Sequence, residues 1–217
     1  MIAVIQCAGR KARNAGHLET PAGRPVTFVA DPKAVVPSDE VLYEHPDGMS
    51  DYGWTWREAL LKYNEDRSQN PLHLLPAWQL YENPAYGRLF EKFGPEKLFI
   101  LSAGWGLLRA DFLTPYYDIT FSYQAEPYKR RGRNDQYRDL NMLAGTADDI
   151  VFFGCKDYLR PFCRLTAAAT GKRTVFYNSK FVPTAPGCTL RRFQSPNIRK
   201  WHYECAEAFL DGTISGK

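Results

Sequence analysis

The residues of this chain best placed to do chemistry stand in Thr114-Pro115-Tyr116-Tyr117-Asp118, just beyond the run Leu98-Phe99-Ile100-Leu101-Ser102-Ala103-Gly104-Trp105-Gly106. A carboxylate beside aromatic rings can activate water or stabilise a cationic sugar transition state, while the rings hold a base by stacking. Asp118 has that combination, and Asp111 is a second acid upstream. Asp also commonly opens turns, so a turn or cap role is the alternative for Asp118. Ser102 does not sit in a Gly-x-Ser-x-Gly elbow and has no evident partner among His17, His45, His73 and His202, so it is expected to hydrogen-bond backbone or ligand. Trp105, between two glycines, is either a core anchor or a stacking platform. Gly104 and Gly106 permit backbone angles or close approaches that side chains forbid.

Cations come from other loops. Cys7-Ala8-Gly9-Arg10-Lys11 follows the first apolar run, and its small residues would let backbone N–H groups approach an anion with Arg10 and Lys11 alongside. It is neither a Walker loop nor a GxGxxG fingerprint. A tight turn with two surface cations is the alternative. No His lies near Cys7 in sequence, which favours an inert buried thiol over a nucleophile. Gly154-Cys155-Lys156-Asp157-Tyr158 repeats the layout of strand, small residue and helix start, so Lys156 and Tyr158 can reach a ligand at the sheet edge. The alternative there is a plain turn with Asp157 complementing the helix N-terminus. Tyr177-Asn178-Ser179-Lys180 occupies the equivalent place after the next strand.

The elements that must hold these loops alternate. Apolar runs bounded by glycine predict strands at 2–6, 98–102, 150–154, 174–177 and 189–193, with short extended pieces near 26–29 and 41–43. Helical spacing predicts helices at 54–66, 76–93 with a break near Pro84, 135–146, 156–170 with Gly171 as its cap, and 196–210. Residues 114–135 read as a long loop. This alternation implies a single α/β domain over 1–217: a layered, mostly parallel sheet flanked by helices. Residues 12–70, rich in Pro, Gly and Asp in their first part, read as an inserted loop-helix region or lid. Ligands of such sheets collect at the carboxyl ends of the strands.

Ser102-Ala-Gly-Trp-Gly-Leu-Leu-Arg109 followed by Pro115-Tyr-Tyr-Asp118 resembles the central motif of the YaaA-like proteins, and Cys7-Ala-Gly-Arg-Lys11 resembles their short loop after the first strand. The likeness covers roughly 1–11 and 72–160. Trp105 stands where the family has Tyr, and Ala110-Asp111 where it often has Pro. The resemblance implies a DNA-associated protein of a group linked to protection from oxidative DNA damage. On that expectation Arg10 and Lys11 contact phosphate, Trp105 with Tyr116 or Tyr117 stacks on a base, and Asp118 faces the sugar, with Ser102, Gly106 and Lys156 completing the pocket. Hydrolysis of an N-glycosidic bond is the reaction those residue types suit. A free nucleoside or nucleotide as substrate, and a non-catalytic DNA-binding stress protein, are the alternatives.

Composition sets the outer limits. The 217 residues carry a net charge of +4, with 44% hydrophobic and 24% charged residues, ordinary for a globular chain. No stretch reaches the apolar length of a membrane span. The short N-terminal apolar run is followed, not preceded, by basic residues, the reverse of a secretory leader. The five cysteines are widely spaced with no CxxC pair, so reduced thiols in a cytoplasmic protein are expected, and no structural metal or cofactor. Three basic clusters (Arg10, Lys11 and Arg13; Lys129 to Arg133; Arg191-Arg192 with Arg199-Lys200), the last two interleaved with aromatics such as Tyr123, Tyr128 and Trp201, suit nucleic acid, DNA being the expected form, or a nucleotide. Solvated surface charge beside ordinary packing is the alternative.

Overall fold

The computed structural model describes residues 1–132, 134–143 and 145–216. A seven-stranded sheet runs in the order β12 (Cys188–Arg192), β11 (Arg173–Tyr177), β10 (Ile150–Phe153), β1 (Ile2–Gln6), β6 (Leu98–Ser102), β7 (Gly106–Arg109), β9 (Leu140–Asn141). The first five are mutually parallel, β7 is antiparallel to β6, and β9 is parallel to β7. This is the expected mostly parallel α/β architecture. The strands β1, β6 and β10 are buried along their whole length, as an apolar run covered on both faces must be. β10 displays the alternation directly. The Phe152 ring stacks on Phe162 on one face of the sheet, and its neighbour Phe153 meets Phe176 and Phe209 on the other.

Helices α2 (Ala85–Phe93) and α4 (Trp201–Leu210) pack together and on the central strands, while α3 (Leu159–Leu165) packs toward β7. A second, three-stranded sheet joins β2 (Leu18–Glu19), β3 (Pro25–Phe28) and β4 (Leu42–Glu44), and β5 (Leu75–Pro76) pairs with β8 (Leu113–Thr114). Helix α1 (Trp56–Tyr63) begins at a capping box: Thr55 accepts from the Glu58 N–H, and the Glu58 carboxylate accepts from the Thr55 N–H at 2.8 Å. Residues 12–70 are continuous with the main core through Val26, Phe28, Trp56 and Leu60, all essentially inaccessible. They form a packed layer of the molecule, which a loose lid would not.

Several expected elements are shorter. The helix expected over 76–93 starts only at Ala85, because Pro76 lies in β5 and Pro84 sits at the cap, and it stops at Gly94 with φ +68°. The 156–170 helix is a 3-10 turn at Lys156–Tyr158 followed by α3, which ends at Leu165. Gly171 is therefore no helix cap. A Cβ there would strike the Asp148 carbonyl, so close backbone approach explains the glycine. The final helix begins at Trp201 rather than 196. The helix expected over 135–146 is absent among the described residues of that stretch. Leu140 N–H donates to the Trp105 carbonyl at 2.9 Å and Met142 N–H to Leu107 at 2.9 Å, so sheet pairing overrides the helical spacing. Its partner β7, also unforeseen, makes the Ser102–Gly106 turn a hairpin.

Candidate functional site

The carboxyl ends of β1 and β6 lead into a buried polar network. Ser102 Oγ donates to the Tyr117 hydroxyl at 2.9 Å and accepts from Trp105 N–H at 3.2 Å. Tyr117 and Tyr81 share a hydrogen bond at 2.7 Å. The Cys7 thiol lies 3.1 Å from the Tyr158 hydroxyl, and Tyr86 donates to the Gln6 carbonyl at 2.7 Å. Burial pushes the Tyr81, Tyr86, Tyr117 and Tyr158 phenols well above their ordinary range, so all four stay protonated. Networks of this kind fix a unique interior arrangement when each member is satisfied.

Several expected contacts belong to that interior. Trp105 is completely buried, with its ring 4.9 Å from Phe28 and the Arg57 guanidinium 5.4 Å from its centroid. It is a core anchor, and no base can reach its face. Tyr117 is likewise fully buried and Ser102 nearly so. Gly106 adopts φ +102°, and a Cβ would collide with the Leu140 backbone. Its role is to let β9 approach β7. Lys11 is buried too, with Nζ 3.4 Å from the Gly9 carbonyl and 4.2 Å from the Tyr117 ring centroid. Desolvation lowers its pKa, with Cys7 and Asp118 opposing that shift. An amine enclosed by its own loop is a poor phosphate contact, which corrects its expected role.

Three expected residues remain near the surface here. Asp118 pairs with Lys129 Nζ at 2.9 Å, and the half-buried Tyr116 ring lies 5.7 Å from the Lys11 amine. The hydrogen bond that Lys129 donates to Glu126, followed by the one it donates to Asp118, raises its pKa. Arg10 is exposed with its Nε 3.5 Å from Glu82. Tyr116 thus lies by the enclosed Lys11, and Asp118 by Lys129.

The open space lies beside this cluster, beyond the ends of β10 and β11. A cleft of about 850 Å³ is lined by Phe121, Arg131, Tyr137, Lys156, Asp157 and Arg164, among others. Two further hollows adjoin it. One of about 370 Å³ shares Lys156 and Leu159 and reaches Tyr177–Lys180 and Trp201. The other, about 640 Å³, shares Phe121, Arg131 and Asp157. Lys156, alone of the expected binding residues, lines the cleft, and it is exposed.

The cleft floor is built around Arg131. Its guanidinium lies 3.7 Å from the Tyr137 centroid and 5.2 Å from that of Phe121. It forms a two-pronged pair with Asp139 at 2.7 Å on both oxygens and donates to the Ala103 carbonyl at 2.9 Å. Arg164 from α3 pairs with the same carboxylate. Arg57 donates to the next two carbonyls, Gly104 and Trp105, at 3.1 and 3.0 Å. The two arginines clamp the Ala103–Trp105 turn and tie the 121–137 loop to the end of β6. The Tyr137 hydroxyl is buried with no partner among the described residues. Sequence reasoning passed over Arg57 and Asp139, which carry no local motif. It noted Arg131 only within the run to Arg133, the latter outside the described residues.

Among the described residues no group of three His, Cys, Asp or Glu side chains is disposed to hold a metal, and no helix is long and apolar enough to cross a membrane. Comparison of the chain with protein-family models, with curated proteins and with solved structures finds no match. The likeness to the YaaA-like proteins therefore rests on the quoted motifs.

Proposed function

We propose that this protein binds a single nucleotide unit in the cleft at the carboxyl edge of its sheet and hydrolyses the N-glycosidic bond. One observation carries this reading: cations, rings and a carboxylate share one hollow of about 850 Å³, within the size range of small-ligand sites. Lys156 and Arg160 supply positive charge for phosphate, and Phe121 and Tyr137 supply apolar surface for a base. Of the two carboxylates lining the cleft, Asp135 accepts from the Gly132 N–H, which leaves Asp157 for water. In the proposed reaction it takes a proton from water as the water oxygen bonds to the anomeric carbon. The carbon–nitrogen bond breaks, and the base leaves with the electron pair and picks up a proton from solvent. Asp118, the acid singled out by the motif, is held by Lys129 outside the cleft lining.

A free nucleotide is favoured over a polymer because three of the cluster cations are engaged internally. Lys129 is held by Asp118 and Glu126, Arg131 by Asp139, and Arg10 lies beside Glu82. Titration with purine and pyrimidine 5′-mononucleotides tests this. Lys156→Glu is expected to weaken binding at least tenfold, since a charge-assisted hydrogen bond contributes about 1.5–3 kcal/mol. Log affinity should fall only shallowly with log salt, since a mononucleotide carries no condensed counterion layer to release. No saturable binding at millimolar nucleotide, or an unchanged Lys156→Glu variant, contradicts the reading. Base release that survives Asp157→Asn contradicts the reaction assigned.

A further inference from the structure

The thiols of Cys163 and Cys188 face each other at 3.9 Å, although twenty-five positions separate them in sequence. Cys163 lies in α3, between core residue Phe162 and cleft residue Arg164, and Cys188 opens the edge strand β12. Both are half-buried, and Cys7 and Cys205 by contrast are enclosed. We propose that Cys163 and Cys188 form a reversible disulfide that fastens α3 to the sheet edge, a modification site separate from the nucleotide cleft.

Geometry and chemistry agree on this pair. Bonding needs the sulfurs to close by about 2 Å, within reach of modest side-chain rotations. The two thiols also have unequal roles. Contact with Cys163 lowers the Cys188 pKa to about 7, with Arg173 assisting, and the same contact raises that of Cys163. Arg173 donates to the Cys163 carbonyl at 3.2 Å, which keeps its charge at the pair. Cys188, on the edge strand, is assigned as the attacking thiolate, and alkylation tests that assignment. With a small disulfide such as oxidised glutathione as oxidant, Cys188 Sγ attacks one sulfur, that S–S bond breaks, and one glutathione leaves as thiolate. Capping Cys188 removes the interaction that held the proton on Cys163. Cys163 then loses its proton and attacks Cys188 Sγ, and the second glutathione thiol departs. Two electrons pass from the protein sulfurs to the glutathione pair, and two thiols replace one disulfide.

The test uses the full chain, reduced and then equilibrated in glutathione buffers of graded ratio. Peptide mapping by mass spectrometry without reductant should find a Cys163–Cys188 cross-link, a loss of two hydrogens in intact mass, and full reversal by dithiothreitol. The oxidised form should melt about 8 °C higher, as expected for closing a loop of this length in a chain of this size. Brief alkylation of the reduced wild type at pH 7 should label Cys188 before the other cysteines, a readout that needs no variant. Cys163→Ser should convert the cross-link to a stable glutathione adduct on Cys188. Five thiols still titratable in fully oxidised buffer, a cross-link between other cysteines, or alkylation that spares Cys188 would each overturn the proposal.

Discussion

His202 sits in the first turn of α4 with both ring nitrogens buried and without a hydrogen-bond partner among the described residues. Desolvation holds its pKa down at about 4, against 6.5 for the free side chain. The folded protein therefore refuses a proton that the unfolded chain accepts. The sign follows directly: stability is unaffected above pH 6.5, declines as pH falls from there toward 4, and levels off below. The part due to this one residue is about 3 kcal/mol, at 1.36 kcal/mol per unit of pKa difference. Urea unfolding at pH 7 and pH 4 measures it. His202→Leu should lose markedly less stability than wild type across that interval, and equal losses in the two proteins would contradict the assignment.

Among elements, the loop from Phe121 to Tyr137 shapes the cleft, and Asp139, just before β9, is what holds it. Its side chain is 1% exposed, and it neutralises both Arg131 and Arg164. Asp139→Asn leaves Arg131 buried beside a neutral partner, which costs about 3 kcal/mol by analogy with other broken buried pairs. Chemical denaturation should show that loss, and proteolysis should cut faster within 121–137. A variant as stable as wild type would mean that the floor is held by ring stacking alone. The sequence made the strands legible where apolar runs were continuous, at β1, β6, β10 and β11. It misled where a local pattern competed with a distant partner. Residues 135–146 have helical spacing, yet the edge of β7 offers Leu140 and Met142 backbone partners that a helix would forgo. Ser102, Tyr117 and Lys11 were legible as neighbours of the sheet edge, since motif order reports topology. Their depth was not, because burial depends on Phe28, Trp56 and the rest of the 12–70 layer packing over the turn.

At the scale of the whole molecule, two layers built from distant sequence meet at one edge of a parallel sheet. The inserted region sends Arg57 in to clamp the Ala103–Trp105 turn, and the central loop sends Arg131 to the same turn. With that turn fixed from both sides, the hollow beyond β10 and β11 has a rigid floor and a mouth carrying Lys156. Such preorganisation favours a small ligand recognised by few groups. The most direct measurement is a crystal structure of the protein with a bound 5′-mononucleotide. The phosphate is expected at Lys156 and Arg160, the base against Phe121 or Tyr137, and the anomeric carbon within reach of a water on Asp157. A nucleotide seated instead over Lys11 and Asp118, or none bound at saturating concentration, would contradict it.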